Sequence, residues 1–126
     1  MELRRTAIAL TALLACASLW AGEQQVEMRE TAVCADVSVP YVLNRSRTGD
    51  PSFVLILFLG GDGIVTPHLD GKGRLVYRKK TNFLLRTRSL MVDDAFATAA
   101  TDSSPDPVRF RCLASQLKAR FPKADL

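Results

Sequence analysis

Residues 53–59, FVLILFL, run directly into Gly60-Gly61-Asp62-Gly63, and the reading of this stretch decides the fold. Seven apolar residues with no polar alternation, bounded by Pro51 and Gly60, suit a parallel strand covered on both faces; a buried helix needs more length. An extended loop follows, because residues 60–73 hold five of the chain's seven glycines together with Pro67. Thr81 or Asn82 then caps a helix expected to reach about Asp93, with Phe83, Leu84, Thr87, Leu90 and Met91 on its inner side. Residues 95–101 read as the next strand, ending at Asp102. Asp106 caps a last helix whose first position is Pro107, where a missing N–H does no harm. Strand, loop, helix, strand, helix is βαβ punctuation. It predicts the α/β class, with a parallel sheet and flanking helices.

Upstream, residues 33–44 read as one or two short strands with Val37, Val39 and Tyr41 or Val42 as apolar positions, broken at Pro40. Residues 45–52 (RSRTGDPS) form a turn punctuated by Gly49-Asp50-Pro51. Residues 22–32 are polar and read as a tether. Before them, Arg4 and Arg5 precede an apolar run, so residues 1–21 have the layout of a signal peptide, too short and wrongly flanked for a spanning helix. Two cleavage readings stand side by side. Leu13-Leu14-Ala15-Cys16 resembles a bacterial lipobox, which would make Cys16 a lipidated first residue and attach the protein to a membrane. Ordinary cleavage near Ala21-Gly22 is the other. Both predict export: to the periplasm, to an outer-membrane anchor, or out of the cell.

A chain of 126 residues, 48% hydrophobic and 24% charged, has the composition of one globular domain. The formal charge is +4, falling to +3 (15 basic against 12 acidic residues) once Glu2, Arg4 and Arg5 leave with the leader. That balance is too mild for a nucleic-acid partner, and its densest run, residues 74–80 (RLVYRKK), reads as a solvated strand end. No cofactor site is expected: no cluster has metal-ligand spacing, and Gly71-Lys72 fails as a phosphate-binding loop because Gly73 follows it and Thr66 occupies the earlier glycine position. Cys34 and Cys112 survive either cleavage. In residues 106–121 an apolar stripe at Phe110, Leu113, Ala114, Leu117 and Phe121 leaves Cys112 roughly opposite, so helical phase favours a free thiol at least as much as a disulfide.

The motifs in series resemble those of the exported bacterial α/β-hydrolases that carry a Gly-Gly-x-Gly loop after the third strand. Asn82, Phe83, Leu84, Arg86 and Arg88 match that family's Asn-Phe-Leu-x-Arg-(Ser or Thr)-Arg helix start position by position. Asp102 and Asp106 match its Asp- and Pro-rich turn, with Pro105 displaced. The resemblance covers residues 33–126 and implies the N-terminal part of an α/β-hydrolase sheet. It also implies acyl transfer to water through a serine ester, with a small-molecule ester or acyl substrate for the full-length family. Backbone N–H groups of Gly61 and Asp62 would line the oxyanion hole, where glycines leave the approach open, and Gly60, Gly63, Asn82, Arg86, Arg88 and Asp102 would support it.

The departures are equally specific. The sequence holds no Gly-x-Ser-x-Gly turn, and its only histidine, His68, precedes any position a nucleophile could take in that family's order of nucleophile, acid, histidine. Ser103, Ser104 and Ser115 lie outside such turns. No catalytic residue is therefore assigned, and the chain reads as an N-terminal hydrolase fragment, inactive and marginally stable alone because one edge of FVLILFL lacks its neighbour. Two alternatives stand beside this. One is a non-catalytic exported lipoprotein or interaction module. The other is a fragment of the diacylglycerol and NAD kinases, whose Gly-Gly-Asp-Gly binds nucleotide phosphates; here Ile64-Val65-Thr66-Pro67 follows with no helix start, and export removes the chain from ATP.

Overall fold

A computed structural model describes residues 24–59, 68–76, 82–101 and 106–126. Four strands form one sheet: β1 (Gln25–Cys34), β2 (Val37–Ser46), β3 (Phe53–Phe58) and β6 (Phe96–Thr101), in the order β1-β2-β6-β3. Two short strands, β4 (His68–Leu69) and β5 (Leu75–Val76), make a separate hairpin. The helices are α1 (Phe83–Thr87), a 3₁₀ turn η1 (Arg88–Met91) that continues it, and α2 (Pro107–Arg120).

The expected α/β parallel sheet, the front of an α/β-hydrolase sheet with flanking helices, is corrected by the pairing. Only β3 and β6 are parallel; β1–β2 and β2–β6 are antiparallel, so the sheet is mixed and strand outweighs helix. The sequence reading missed this because β1 lies mostly within the stretch taken as a polar tether. Residues 25–30 (QVEMRE) alternate polar and apolar as far as Arg29, the signature of a half-buried antiparallel strand rather than of a linker. The strand expected to break at Pro40 is continuous. Pairing of β2 with β6 begins only at Tyr41↔Thr101, so Pro40 sits where the ladder asks no N–H of it, and its carbonyl accepts from Thr101 Oγ1 at 3.0 Å. Cys34 pairs with Val37, leaving a two-residue hairpin turn in which Ala35 adopts a φ of 52°, a conformation that suits glycine better.

Successive side chains of a strand point to opposite faces, and this places the two helices. Val54 of β3 and Val39, Tyr41 and Leu43 of β2 bury against Leu113 and Leu117 of α2, forming the main core. Leu59, on the opposite phase, buries against Leu85 of α1, with Leu84 alongside. α1 and α2 therefore cover opposite faces. Asn82 and Asp106 cap these helices as their sequence positions require: Asn82 Oδ1 accepts the Leu85 N–H at 3.3 Å and Asp106 Oδ1 the Val108 N–H at 2.9 Å. The first helix is shorter than expected. Thr87 Oγ1 donates to the Phe83 carbonyl, the chain tightens into η1, and the change of phase leaves Phe83 and Leu90 exposed.

The phase of α2 also differs from the expected stripe. Its buried face is centred on Cys112, Leu113 and Leu117, while Phe110 is partly exposed against Phe58. The helix turns this way because it packs on the antiparallel hairpin β1–β2, and Cys112 meets Cys34 in a disulfide. Of the two states that helical phase left open for Cys112, the disulfide is the one formed. Beside this staple, the Tyr41 hydroxyl donates to Glu30 Oε2 at 2.6 Å, and Arg120 reaches the same carboxylate from the end of α2.

Two measurements check this core. A bridge closing 78 residues removes enough unfolded-chain entropy that Cys34→Ser with Cys112→Ser should cost about 4 kcal/mol in urea unfolding; a loss below about 1 kcal/mol would mean the bridge carries little of the fold. Burial, and then the Glu30 carboxylate, push the Tyr41 hydroxyl up from 10.0 to about 12. Because the folded value is the higher, the stabilisation is complete below pH 10 and fades as pH rises toward 12. Stability measured from pH 9 to 12 should therefore fall in the native chain, and fall less in Tyr41→Phe.

Candidate functional site

β3 and β6 lie side by side and parallel, yet the chain leaving β3 goes to α1 on one face and the chain leaving β6 goes to α2 on the other. In open sheets with helices on both faces, the carboxyl ends of adjacent parallel strands whose connections part in this way are the usual place for a ligand-binding crevice. Here that end is marked by Phe58, Leu59 and Thr101. Leu59 and Thr101 are buried, and Asp106 caps the start of α2 five residues after Thr101.

Two segments singled out by sequence leave the sheet at this end. Residues 60–67, with Gly60, Gly61, Asp62 and Gly63, follow β3; residues 102–105, with Asp102, follow β6. Both lie outside the described residues, as does Cys16, so the structure places the strand ends that deliver them and not the groups themselves. Of the remaining support residues, Asn82 is the α1 cap, Arg86 is an exposed residue of α1, and Arg88 folds inward.

Arg88 is the best anchored of these. Its guanidinium donates to the Leu85 carbonyl and to Glu27 Oε2, which also accepts Asn44 Nδ2 at 2.8 Å. Gln25 Nε2 adds bonds to the Ser89 and Val92 carbonyls, each at 3.2 Å. Together these tie η1 to the sheet's edge strand, on the α1 face. Glu27 and Asn44 were missed in the sequence reading; the polar–apolar alternation of residues 25–29 is the signal that would have found Glu27, and nothing local marks Asn44.

His68 is an exposed residue of the β4–β5 hairpin. In that hairpin Asp70 accepts the backbone N–H groups of Lys72 and Arg74 and pairs with the Arg74 side chain, and these bonds, led by the Arg74 amide, hold its carboxyl below the usual range. Ser115 is exposed on α2, and Ser103 and Ser104 lie outside the described residues. Among the described residues no three His, Cys, Asp or Glu side chains gather into a metal site, and no helix is long and apolar enough to cross a membrane. In comparisons with known proteins, no family model, no curated protein and no solved structure matches the chain.

The anchor has a rank-order test. Arg88→Met should lower stability by roughly 2 kcal/mol, since it removes the cation that compensates a partly buried carboxylate. Glu27→Gln should cost less, because its amide oxygen still accepts from both Asn44 and Arg88. Equal losses in the two variants, read by urea unfolding, would mean the charge pair is not what holds η1.

Proposed function

We propose that this chain is the front portion of an exported serine acyl hydrolase, supplying its oxyanion-hole loop but not its nucleophile, acid or histidine. The observation that carries the proposal is positional: Gly60-Gly61-Asp62-Gly63 leaves β3 at the end where β3 and β6 send their connections to opposite faces. A loop there with little side-chain bulk can turn N–H groups toward a reacting carbonyl. Those of Gly61 and Asp62 would stabilise the negative oxygen of a tetrahedral intermediate formed from a small ester or acyl substrate. Arg88, through Glu27, would steady the helix that follows the loop, and Asn82 would cap it.

Two further observations support the reading. The Cys34–Cys112 disulfide suits an exported protein, because such bridges persist in oxidising compartments. The outer edge of β3 also begins a further parallel pairing: the Asp125 N–H donates to the Ser52 carbonyl at 2.9 Å and the Val54 N–H to the Asp125 carbonyl at 2.8 Å. A strand entering this lane would run toward the carboxyl ends of β3 and β6, which is where a nucleophile turn has to arrive.

The test has two arms. Residues 22–126, purified, should hydrolyse a nitrophenyl ester no faster than buffer; folded-state turnover that survives Ser103→Ala and Ser115→Ala would overturn the proposal. Reading the gene beyond codon 126 in all three frames should reveal Gly-x-Ser-x-Gly followed by Asp and His. In the joined product, Gly61→Pro, which deletes one donor N–H, should cut kcat about 100-fold or more. A stop codon with no such coding remnant would shift the assignment to a non-catalytic exported interaction module.

A further inference from the structure

A row of side chains crosses the α1 face of the sheet at one level. Glu27 of β1 stands opposite Asn44 of β2, and Asn44 stands opposite Thr98 of β6. Asn44 is 3% exposed and Thr98 is fully buried. Asn44 Nδ2 donates to Glu27 Oε2, on the β1 side. That bond fixes the orientation of the amide, since a carboxylate requires a donor and the opposite flip would set two acceptors against each other. With Nδ2 committed to Glu27, Oδ1 is the atom of the amide left to pair, and Thr98 is the directly opposed residue on the β6 side. Yet Asn44 Oδ1 and Thr98 Oγ1 are both buried without a hydrogen-bond partner.

Two polar oxygens, each buried and on directly opposed residues, are costly when left unpaired, because neither recovers the hydrogen bonds it made to water in the unfolded chain. Opposed residues of antiparallel strands hold their Cβ atoms about 5 Å apart. Oxygens that sit at such neighbouring positions without bonding directly can be joined by one water, which spans the gap with two bonds.

We infer that a single buried water binds between Asn44 Oδ1 and Thr98 Oγ1. It donates one hydrogen to the amide oxygen and meets the threonine hydroxyl with its other hydrogen or a lone pair. The polar row Glu27–Asn44–water–Thr98 is then satisfied along its length. The site takes a small neutral molecule that can both donate and accept, and it lies in the interior of the sheet, apart from the carboxyl ends of the strands.

A crystal structure of the full chain at a resolution that shows ordered water should hold one peak within hydrogen-bond distance of both atoms, and Thr98→Val, which keeps the shape and removes the hydroxyl, should lose it. Water-to-protein magnetisation transfer in solution should show a long-lived water beside Asn44 that is absent in the variant. A direct Oγ1–Oδ1 hydrogen bond with no peak overturns the inference. So does a peak that persists unchanged in Thr98→Val, or one whose shell of four or more oxygens marks a metal ion. If Thr98→Val fails to fold, Thr98→Ser retains the hydroxyl and should retain the water; its absence there overturns the inference equally.

Discussion

The parallel register of β3 on β6, from Phe53↔Phe96 to Phe58↔Thr101, is the constraint on which the remaining architecture rests. A parallel neighbour cannot be reached by a tight turn, so the chain must cross over a face of the sheet between these strands, and α1 and η1 lie on that crossover. β6 then has an antiparallel neighbour on its other side, and α2 must find cover for its apolar stripe on the face that α1 does not use. β6 itself is nearly all small side chains. Ala97, Ala99 and Ala100 are fully buried, which lets bulkier groups from the strands and helices on either side meet over them. The parting of the chain at the carboxyl ends of β3 and β6 is a product of this arrangement: two adjacent parallel strands send their chains to opposite faces.

What was legible in the sequence follows from the range of each signal. Asp106 with Pro107, and Asn82 ahead of Phe83, announced helix starts because capping is settled within three residues. FVLILFL announced a strand because its apolar run is unbroken, but the expected cover on both faces is not there: β3 is an edge strand of the sheet, with Val54 and Leu57 buried and Phe53 exposed. The antiparallel half was harder to see. β1 alternates as edge strands do, and its polar positions gave it the composition of a linker; its status as a strand depends on β2, which it reaches through a turn at Ala35 carrying none of the usual glycine or asparagine. The disulfide depends on the rotation of α2 about its own axis. That rotation is set by the hairpin the helix packs on, not by the stripe read along its sequence.

The candidate site divides along the same line. Its delivery, two segments leaving neighbouring strand ends, follows from pairing that FVLILFL and residues 95–101 had already suggested. Its anchorage does not. Arg88 was visible as part of a motif, but its partner Glu27 is 61 residues away on a strand read as a tether, and Asn44 enters only through the register β1↔β2. Long-range polar contacts leave little trace in a single sequence, since each partner is locally an ordinary surface residue.

Among the described residues, the outer edge of β3 pairs only at its start. An apolar strand with part of its backbone unpaired invites association, and natural sheets usually protect such an edge. In this chain the protection is partial: Asp125 pairs at the amino end of β3 and brings a carboxylate to the entrance of the lane. Its direction matters more than its length. Both of its ladder bonds have parallel geometry, so any strand continuing the pairing travels with β3 toward Gly60 and not against it. An edge that simply avoided aggregation would be served as well by a charged side chain or a bulge. The Asp125 bridge instead occupies the amino end of this edge in the parallel sense, so it extends the hydrogen bonding of β3 by one residue as well as blunting it.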